Sequence, residues 1–367
     1  VGRELAVWVA VGLGAVAVVA TALSFLRAKA WWVRVWDFPR VQLFVMAAVA
    51  SAAWAWGHDR SGTLHVAGQT VLGAAMLVQA AAIWRYTRLA PREVQRSERD
   101  DPARRLALLE SNVLQTNRDA ERLVAVARAA DADVMVFVET DAWWQERLDA
   151  AFGRSHPHGP RCPLDNTYGM LLYSRLPLED ARVDYLLQED IPSMQARVLL
   201  ESGQRVWLNC VHPRPPAPGE SDESLARDAE LLVVGKRVAK APLPVVVLGD
   251  LNDVAWSHTT RLFQKTSCLL DPRKGRGFFS TFHARYPGLR WPLDHVFFSE
   301  QFRLVSMDRL GYVGSDHFPV CVVLSLEPDA AAEQEAPEAD ADDRAEADET
   351  LAEARAEVPR EGKPGAR

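Results

Sequence analysis

The stretch Val245-Val-Val-Leu-Gly-Asp-Leu-Asn-Asp253 constrains the fold more than any other part of the chain. Its first four residues are apolar without alternation. No face is left for water, so a strand of this kind is buried on both sides. Further layers must therefore cover its sheet above and below. The run ends in Gly249, Asp250, Leu251, Asn252 and Asp253. A rigid buried strand that delivers acids at its carboxyl end fixes charge in a cleft. Taken alone, the same residues could be no more than a strand exit turn.

The chain around it alternates in the same way. Leu106–Leu114 reads as a strand, and Asn117–Ala130 as a helix with Asn117 as N-cap and Leu123, Val124 and Ala127 as the buried stripe. Val134–Val138 is a second buried strand, ending at Glu139, where a helix-like stretch opens. Further strands are expected at 168–174, 181–187, 194–200, 205–211, 293–299, 302–310 and 319–326. Helices are expected at 221–239, with Asp222 or Ser224 near the start, and near 256–266. Pro213–Gly219 reads as a rigid loop. Many short strands with a few helices predict an α+β domain of two packed sheets covered by helices, over 106–326.

Three apolar segments precede it, at about 5–26, 41–57 and 64–86, and 1–87 reads as a membrane anchor. About 20 residues cross a bilayer core, so the first and third suffice and the second is marginal. Tryptophans 31, 32, 36, 54, 56 and 84 stand near the segment ends, as an interfacial belt requires. A cleaved leader competes for the first segment, and an interfacial segment for one of the three. Residues 88–105, charged and with two prolines, read as a juxtamembrane linker. Residues 327–367 read as an acidic disordered tail with a transient helix at 345–357, because few apolar anchors offset the ordering entropy.

Charge sorts along these regions. Residues 1–103 carry 11 Lys/Arg against 7 Asp/Glu, 104–326 carry 26 against 28, and 327–367 carry 5 against 14. The middle lacks the basic excess of a typical nucleic-acid binder. Arg27, Lys29, Arg34 and Arg40 share a side with the arginines after the third segment, and Arg3 and Arg60 stand opposite. The positive-inside rule then puts the large domain in the cytoplasm. Cys162, Cys210, Cys268 and Cys321 form no CxxC pair, which argues for buried thiols over a zinc site.

Polar residues gather at strand ends: Asn112, Glu139, His212, Asp250, Asn252, Asp294-His295 and Ser315-Asp316-His317. Each alone has a structural explanation, as turn residue, cap or ion pair. Together they border apolar strands that a sandwich could bring to one edge. Their order, in SNVL, VFVET, GMLLYSR, VHP, GDLND, LDHVFFS and SDHFPV, resembles the endonuclease/exonuclease/phosphatase superfamily. That superfamily includes pancreatic-type deoxyribonuclease, apurinic endonuclease, inositol polyphosphate 5-phosphatases and neutral sphingomyelinases.

The resemblance covers about 104–326 and implies a four-layer α/β/β/α sandwich of two mixed sheets. It implies a divalent ion, magnesium or manganese, on Glu139, with Asn112 and Asp316 in its shell directly or through water. It implies that Asp294 orients His317 against the scissile phosphate and that Asp250 handles a proton. Asn252 would hold a phosphoryl oxygen, and His212 would aid phosphate binding or leaving-group protonation. Nuclease members carry a phosphate-gripping arginine where this chain has Pro192-Ser-Met-Gln-Ala196; Arg197 is near, on an undetermined face. The expected function is hydrolysis of a phosphoester or pyrophosphate of a lipid or membrane-proximal substrate. A nuclease is the second reading and a non-catalytic membrane scaffold the third. Membrane-anchored relatives of this kind are thought to face outward, against the charge count, so the side stays open.

Overall fold

Short apolar runs alternating with amphipathic segments build a layered domain behind a helical head in the computed structural model, which describes residues 2–57, 62–99 and 101–357. The head holds α1 (Gly2–Leu23), α2 (Trp31–Arg34), α3 (Arg40–Gly57) and α4 (Thr63–Ile83). The domain begins with β1 (Arg105–Asn112), α5 (Ala120–Ala130), β2 (Val134–Val138), α6 (Ala142–Phe152), β3 (Arg161–Cys162) and β4 (Met170–Ser174). It continues through β5 (Leu178–Tyr185), β6 (Pro192–Leu199), β7 (Arg205–Cys210), α7 (Leu225–Val238), β8 (Val245–Asp250) and α8 (His258–Ser267). β9 (Asp294–Phe298), β10 (Phe302–Arg309), β11 (Val320–Leu326) and α9 (Ala341–Glu357) complete it.

The strands form two mixed sheets, ordered β10-β11-β1-β2-β4-β3 and β5-β6-β7-β8-β9. Between them lies the main core, with Leu106, Leu108, Val136 and Leu172 from one sheet facing Leu208, Val246, Leu248 and Val296 from the other. On the outer face of the first sheet, α5 and α6 pack Leu123, Ala127, Trp144 and Leu148. Leu231 and Val234 of α7 and Phe263 of α8 cover the second. The result is the expected α/β/β/α sandwich. β8 is buried at every residue, as its unbroken apolar run requires.

Register brings the strand ends together. β1 and β2 are parallel with Asn112 opposite Val138, so Glu139 emerges beside Asn112. β8 and β9 are antiparallel with Asp250 opposite Asp294. One edge of the sandwich therefore collects the ends of four strands.

Several boundaries differ from the sequence reading. The helix expected from Asn117 begins at Ala120, capped by Asp119, which accepts from Arg122 N at 3.3 Å. Asn117 is diverted, donating to the carbonyls of Val113 and Val313 at 3.2 and 3.1 Å. The helix-like stretch after Glu139 is a full helix, α6, capped by Asp141. The linker expected over 88–105 is part of the domain from Glu93 onward. Glu93 accepts from Lys274 Nζ at 2.7 Å, Val94 is buried in the main core, and Ser97 N bonds Leu304 O at 2.9 Å.

The expectation of a disordered tail is corrected over Ala341–Glu357. α9 buries Ala347, Leu351 and Ala354 against α7 and α8. Its acids meet bases: Asp343 pairs with Lys265 at 2.7 Å and Glu346 with His258 at 2.5 Å, while Asp348 and Glu353 pair with Lys236 and Lys29. Sparse apolar anchors are supplemented by complementary charge, which composition alone does not reveal. The tail beyond Glu357 and Arg60 lie outside the described residues.

Gly2–Leu23 and Thr63–Tyr86 are long and apolar enough to cross a membrane. Trp31–Asp37 and Arg40–Gly57 make a third span only if their 73° bend is taken as one broken helix. At that bend Arg40 pairs with Asp37 at 2.5 Å and Arg34 donates to Thr259 Oγ1 at 2.7 Å. Trp31 N bonds Asp222 O at 3.0 Å and Ser224 N bonds Lys29 O at 2.9 Å, so this connection docks directly on the sandwich.

Gly249 makes the site edge possible. It sits at φ +144°, and a Cβ there would lie 1.9 Å from Val211 O. Backbone cannot yield as a flexible side chain can. Gly249→Ala is expected to cost at least about 1–3 kcal/mol, read as a lowered urea midpoint; an unchanged midpoint would show that β8 tolerates a side chain there.

Candidate active site

Two residues turn sharply as they leave their strands. Glu139 at φ +58° and Asn252 at φ +51° occupy the left-handed region, uncommon for side-chain-bearing residues and concentrated where geometry is over-determined. The turn after β2 aims Glu139 back at Asn112, whose Nδ2 donates to Glu139 Oε1 at 2.7 Å and to Asp250 Oδ2 at 3.1 Å. Asn112 Oδ1 accepts from Leu114 N at 2.9 Å. Asn112 thus holds the Glu139 carboxylate with its amide nitrogen, while its own oxygen is turned to the backbone.

The histidine cluster lies deeper. His317 Nδ1 meets Asp294 Oδ2 at 2.8 Å, and its Nε2 stands 3.5 Å from Asp250 Oδ2. Asp250, Asp294 and His317 are 1, 2 and 4% exposed. Burial works against a charged imidazole, but Asp294 and Asp250 outweigh it and push His317 up to about 10. Reciprocally, Asp294 is held below the usual carboxylate range by His317, against its burial. Burial, opposed by His317 and reinforced by Asp294, pushes Asp250 up to about 7. His212 Nε2 is 4.0 Å from Asp250 Oδ2; burial, with His317 adding to it, lowers His212 to about 3, so its imidazole is neutral. Its ring packs on Tyr168 at 5.5 Å.

Asp250, Asp294 and His317 could in principle hold an ion. The Asp294–His317 ion pair is already made, and its positive imidazolium repels a second cation, so a divalent ion is poorly suited to that position. The rim fits better. Burial pushes the Glu139 carboxyl up and the Asp316 charge adds to it, only partly offset by Asn112 and His317. A divalent cation between Glu139 and Asp316 would relieve both penalties with oxygen donors alone.

Asn252 Nδ2 donates to Pro213 O at 3.0 Å, tying the turn after β8 to the loop that carries His212. Among the described residues its second amide hydrogen meets no acceptor. Arg197 does not serve the site: it is exposed on the outer face and pairs with Asp180 at 2.8 Å. Asp253 accepts from Ser257 Oγ at 2.5 Å at the start of α8 and faces Arg227 Nη2 at 3.5 Å.

Sequence reasoning missed the supports. Fully buried Arg227 of α7 donates to Asn252 O at 2.8 Å and so holds the Gly249–Asp253 turn. Arg273, forked on Asp271, reaches His295 Nδ1 at 2.6 Å, and His295 Nε2 contacts Asp253 O at 2.9 Å. His295 is therefore a strut. Glu110 on β1 is 1% exposed, lies against the Asp294 carboxylate, and among the described residues neither of its oxygens accepts a hydrogen bond. Burial, with Asp294 and Asp250 beside it, raises it well above the carboxylate range. Only Glu110 carried a readable signal, a lone acid among apolar residues two positions before Asn112.

The chain matches the Endonuclease/Exonuclease/phosphatase family model over residues 94–317. It belongs to the Endonuclease/Exonuclease/phosphatase family. No curated protein matches it by sequence. Among solved structures, humanized D. rerio TDP2 aligns at TM-score 0.51 and 16% identity over 60% of this chain and 99% of that one. An endonuclease/exonuclease/phosphatase from Beutenbergia cavernae DSM 12333 aligns at 0.50 and 20% identity, over 61% and 72%. D. rerio TDP2 complexed with single strand DNA product aligns at 0.51 and 17%, over 60% and 99%. At these identities they share the fold. Family members hydrolyse phosphoester bonds with the help of divalent metals, and the acid and histidine edge of this chain has the chemistry for both.

The ion pair makes a pH signature. His317 is raised in the fold, so its contribution to stability is complete below about 6.5, its ordinary value, and is lost as pH rises through about 10. Asp294→Asn removes the largest attraction. In the metal-free chain it should bring the His317 titration, followed by NMR, down toward 6.5 or lower and flatten the alkaline loss of stability. An unmoved titration would mean that Asp294 does not set the His317 charge.

Proposed function

We propose that this chain is a membrane-anchored, divalent-metal-dependent phosphohydrolase that cleaves a phosphoester or pyrophosphate bond of a lipid or membrane-proximal substrate. The observation that carries the chemistry is the buried Asp294–His317–Asp250 array behind the Glu139–Asp316 rim. The helices Gly2–Leu23 and Thr63–Tyr86, with a connection docked on the sandwich, support the membrane-proximal substrate.

In this reading the reaction is in-line displacement at phosphorus. The His317 imidazolium, oriented by Asp294, donates from Nε2 to a phosphoryl oxygen as negative charge builds. Asp250, pushed up to about 7, has a proton affinity suited to taking a proton from the attacking water near neutral pH. The free amide hydrogen of Asn252 binds a phosphoryl oxygen, and neutral His212, 4.0 Å from Asp250, relays to the leaving oxygen the proton that Asp250 takes from water. Glu139 and Asp316, with Asn112 holding Glu139, would bind magnesium or manganese. When bound, such an ion would offset charge on the phosphoryl oxygens.

A nuclease is the second reading, favoured by the alignment with D. rerio TDP2 in its complex with single strand DNA product. Against it stands Arg197, turned to the outer face. The third reading, a non-catalytic scaffold, accounts for the buried ion pair as a structural contact but gives no role to Asp250, pushed up to about 7.

The test is metal-dependent turnover by the full chain in detergent against a lipid pyrophosphate, inositol phosphates, abasic DNA and plasmid DNA. Hydrolysis of the lipid substrate with magnesium, abolished by chelation, is expected. His317→Ala and Asp250→Asn should each lower kcat by about 10²–10⁴-fold. Efficient DNA cleavage at physiological salt would reverse the ranking, and turnover of none of the four would favour the scaffold.

A further inference from the structure

Between α3, the turn at Tyr86–Arg88 and the loop from Arg276 to Arg290 lies a cavity of about 1080 Å³. Its walls divide by chemistry. α3 supplies Val41, Val45 and Met46. Val41 and Val45 stand one turn apart on a stripe that continues to the exposed Val49, so the wall runs on into the apolar surface of the helix. Facing it are Arg276, Arg290 and Arg309.

These arginines are held by neutral partners. Arg276 donates to the carbonyls of Pro272 and Val94, Arg290 to Ala284 O at 2.9 Å, and Arg309 to Ser280 O at 2.8 Å. Arg290 Nε is buried with no partner. Among the described residues no carboxylate forms an ion pair with any of the three; Asp308 lines the cavity without engaging them. Burial, with Arg92 and Arg96 nearby, holds the Arg276 guanidinium down to about 10. Positive charge is thus concentrated around a cavity lined by one acid, Asp308. Guanidinium forks match phosphate oxygens in geometry and charge.

The guanidinium groups of Arg290 and Arg309 lie 5.0 and 4.4 Å over the ring of Phe318, the residue after His317. A soluble anion would use the arginines and leave the apolar wall in water. A phosphate carrying a hydrocarbon chain satisfies both walls.

We propose that this cavity takes a membrane lipid with a phosphate headgroup, the phosphate against Arg276, Arg290 and Arg309 and the start of the chain along Val41, Val45 and Met46. That the same lipid passes on to His317 as substrate rests on the lipid-directed function proposed above.

The test uses the full chain in maltoside detergent micelles, which carry no phosphate, a phosphatidic acid with a diazirine in its acyl chain, and peptide mass spectrometry of the photoadducts. Adducts should concentrate on residues 41–46. Loss of charge-assisted contacts in Arg290→Glu/Arg309→Glu should lower capture about tenfold or more. Val45→Trp, which obstructs the apolar wall and leaves the arginines intact, should do the same. A diacylglycerol with the same diazirine should be captured weakly, and inorganic phosphate should compete poorly. Adducts spread evenly over α1 and α4, or capture unchanged in both variants, would overturn the proposal. The same samples are assayed with magnesium and bis(p-nitrophenyl) phosphate. Turnover with no capture at 41–46 overturns the cavity alone; capture there without turnover supports the cavity and counts against the hydrolase.

Discussion

The Asp294–His317 pair sets the terms on which the two sheets can meet. β8 and β9 are antiparallel neighbours with Asp250 opposite Asp294, so the register itself brings two carboxylates together away from water. A buried charge costs several kcal/mol unless it is compensated. The protonated imidazole of His317 lies between them, 2.8 Å from one and 3.5 Å from the other. The remaining ionisable groups there resolve their cost by losing charge: His212 is driven neutral and Glu110 is driven toward its protonated form. The residue assigned to the phosphate is thus also what lets the strands close. Its chemistry and its structural role are inseparable, and a substitution there must be read by stability as well as by rate.

Rigidity around the pair comes from backbone more than from side chains. Gly249 brings β8 against the Val211 carbonyl, and the left-handed turns at Glu139 and Asn252 redirect the next side chains across the edge. Such conformations persist only when their surroundings hold them. Arg227 does this from α7 by gripping Asn252 O, and the Asp271–Arg273–His295 chain does it by gripping Asp253 O. Both supports act on carbonyls of one five-residue turn, which explains why two large cations are buried in a region already rich in acids.

This division marks what could be read from sequence. Groups that project from the ends of apolar strands were legible, because period and abrupt polarity reveal both the strand and its terminus: Asp250 after Val245–Leu248, and Glu139 after Val134–Val138. Groups that support them from helices or loops were not. Arg227 sits in an ordinary amphipathic helix, and its burial depends on where α7 lands. The outward face of Arg197 was undetermined because a one-residue change of register reverses it. The tail was misread because its apolar anchors looked too few to offset the ordering entropy, while Lys236, Lys265 and His258, which pair with its acids, lie about a hundred residues earlier.

Net charge conceals how unevenly the molecule is charged. The 14 acids of residues 327–367 include those that neutralise Lys29, Lys236, Lys265 and His258 along α7, α8 and the connection before α2. Among the described residues Arg276, Arg290 and Arg309 receive no such partner, and they line a cavity with the apolar wall of α3. A balanced total over 104–326 argues against the long basic track that a nucleic-acid backbone needs. It does not argue against a compact cationic pocket, because close charges act locally and are screened beyond about 8–10 Å. The same composition that weakens a nuclease therefore remains compatible with a single phosphate headgroup held beside the apolar wall of α3.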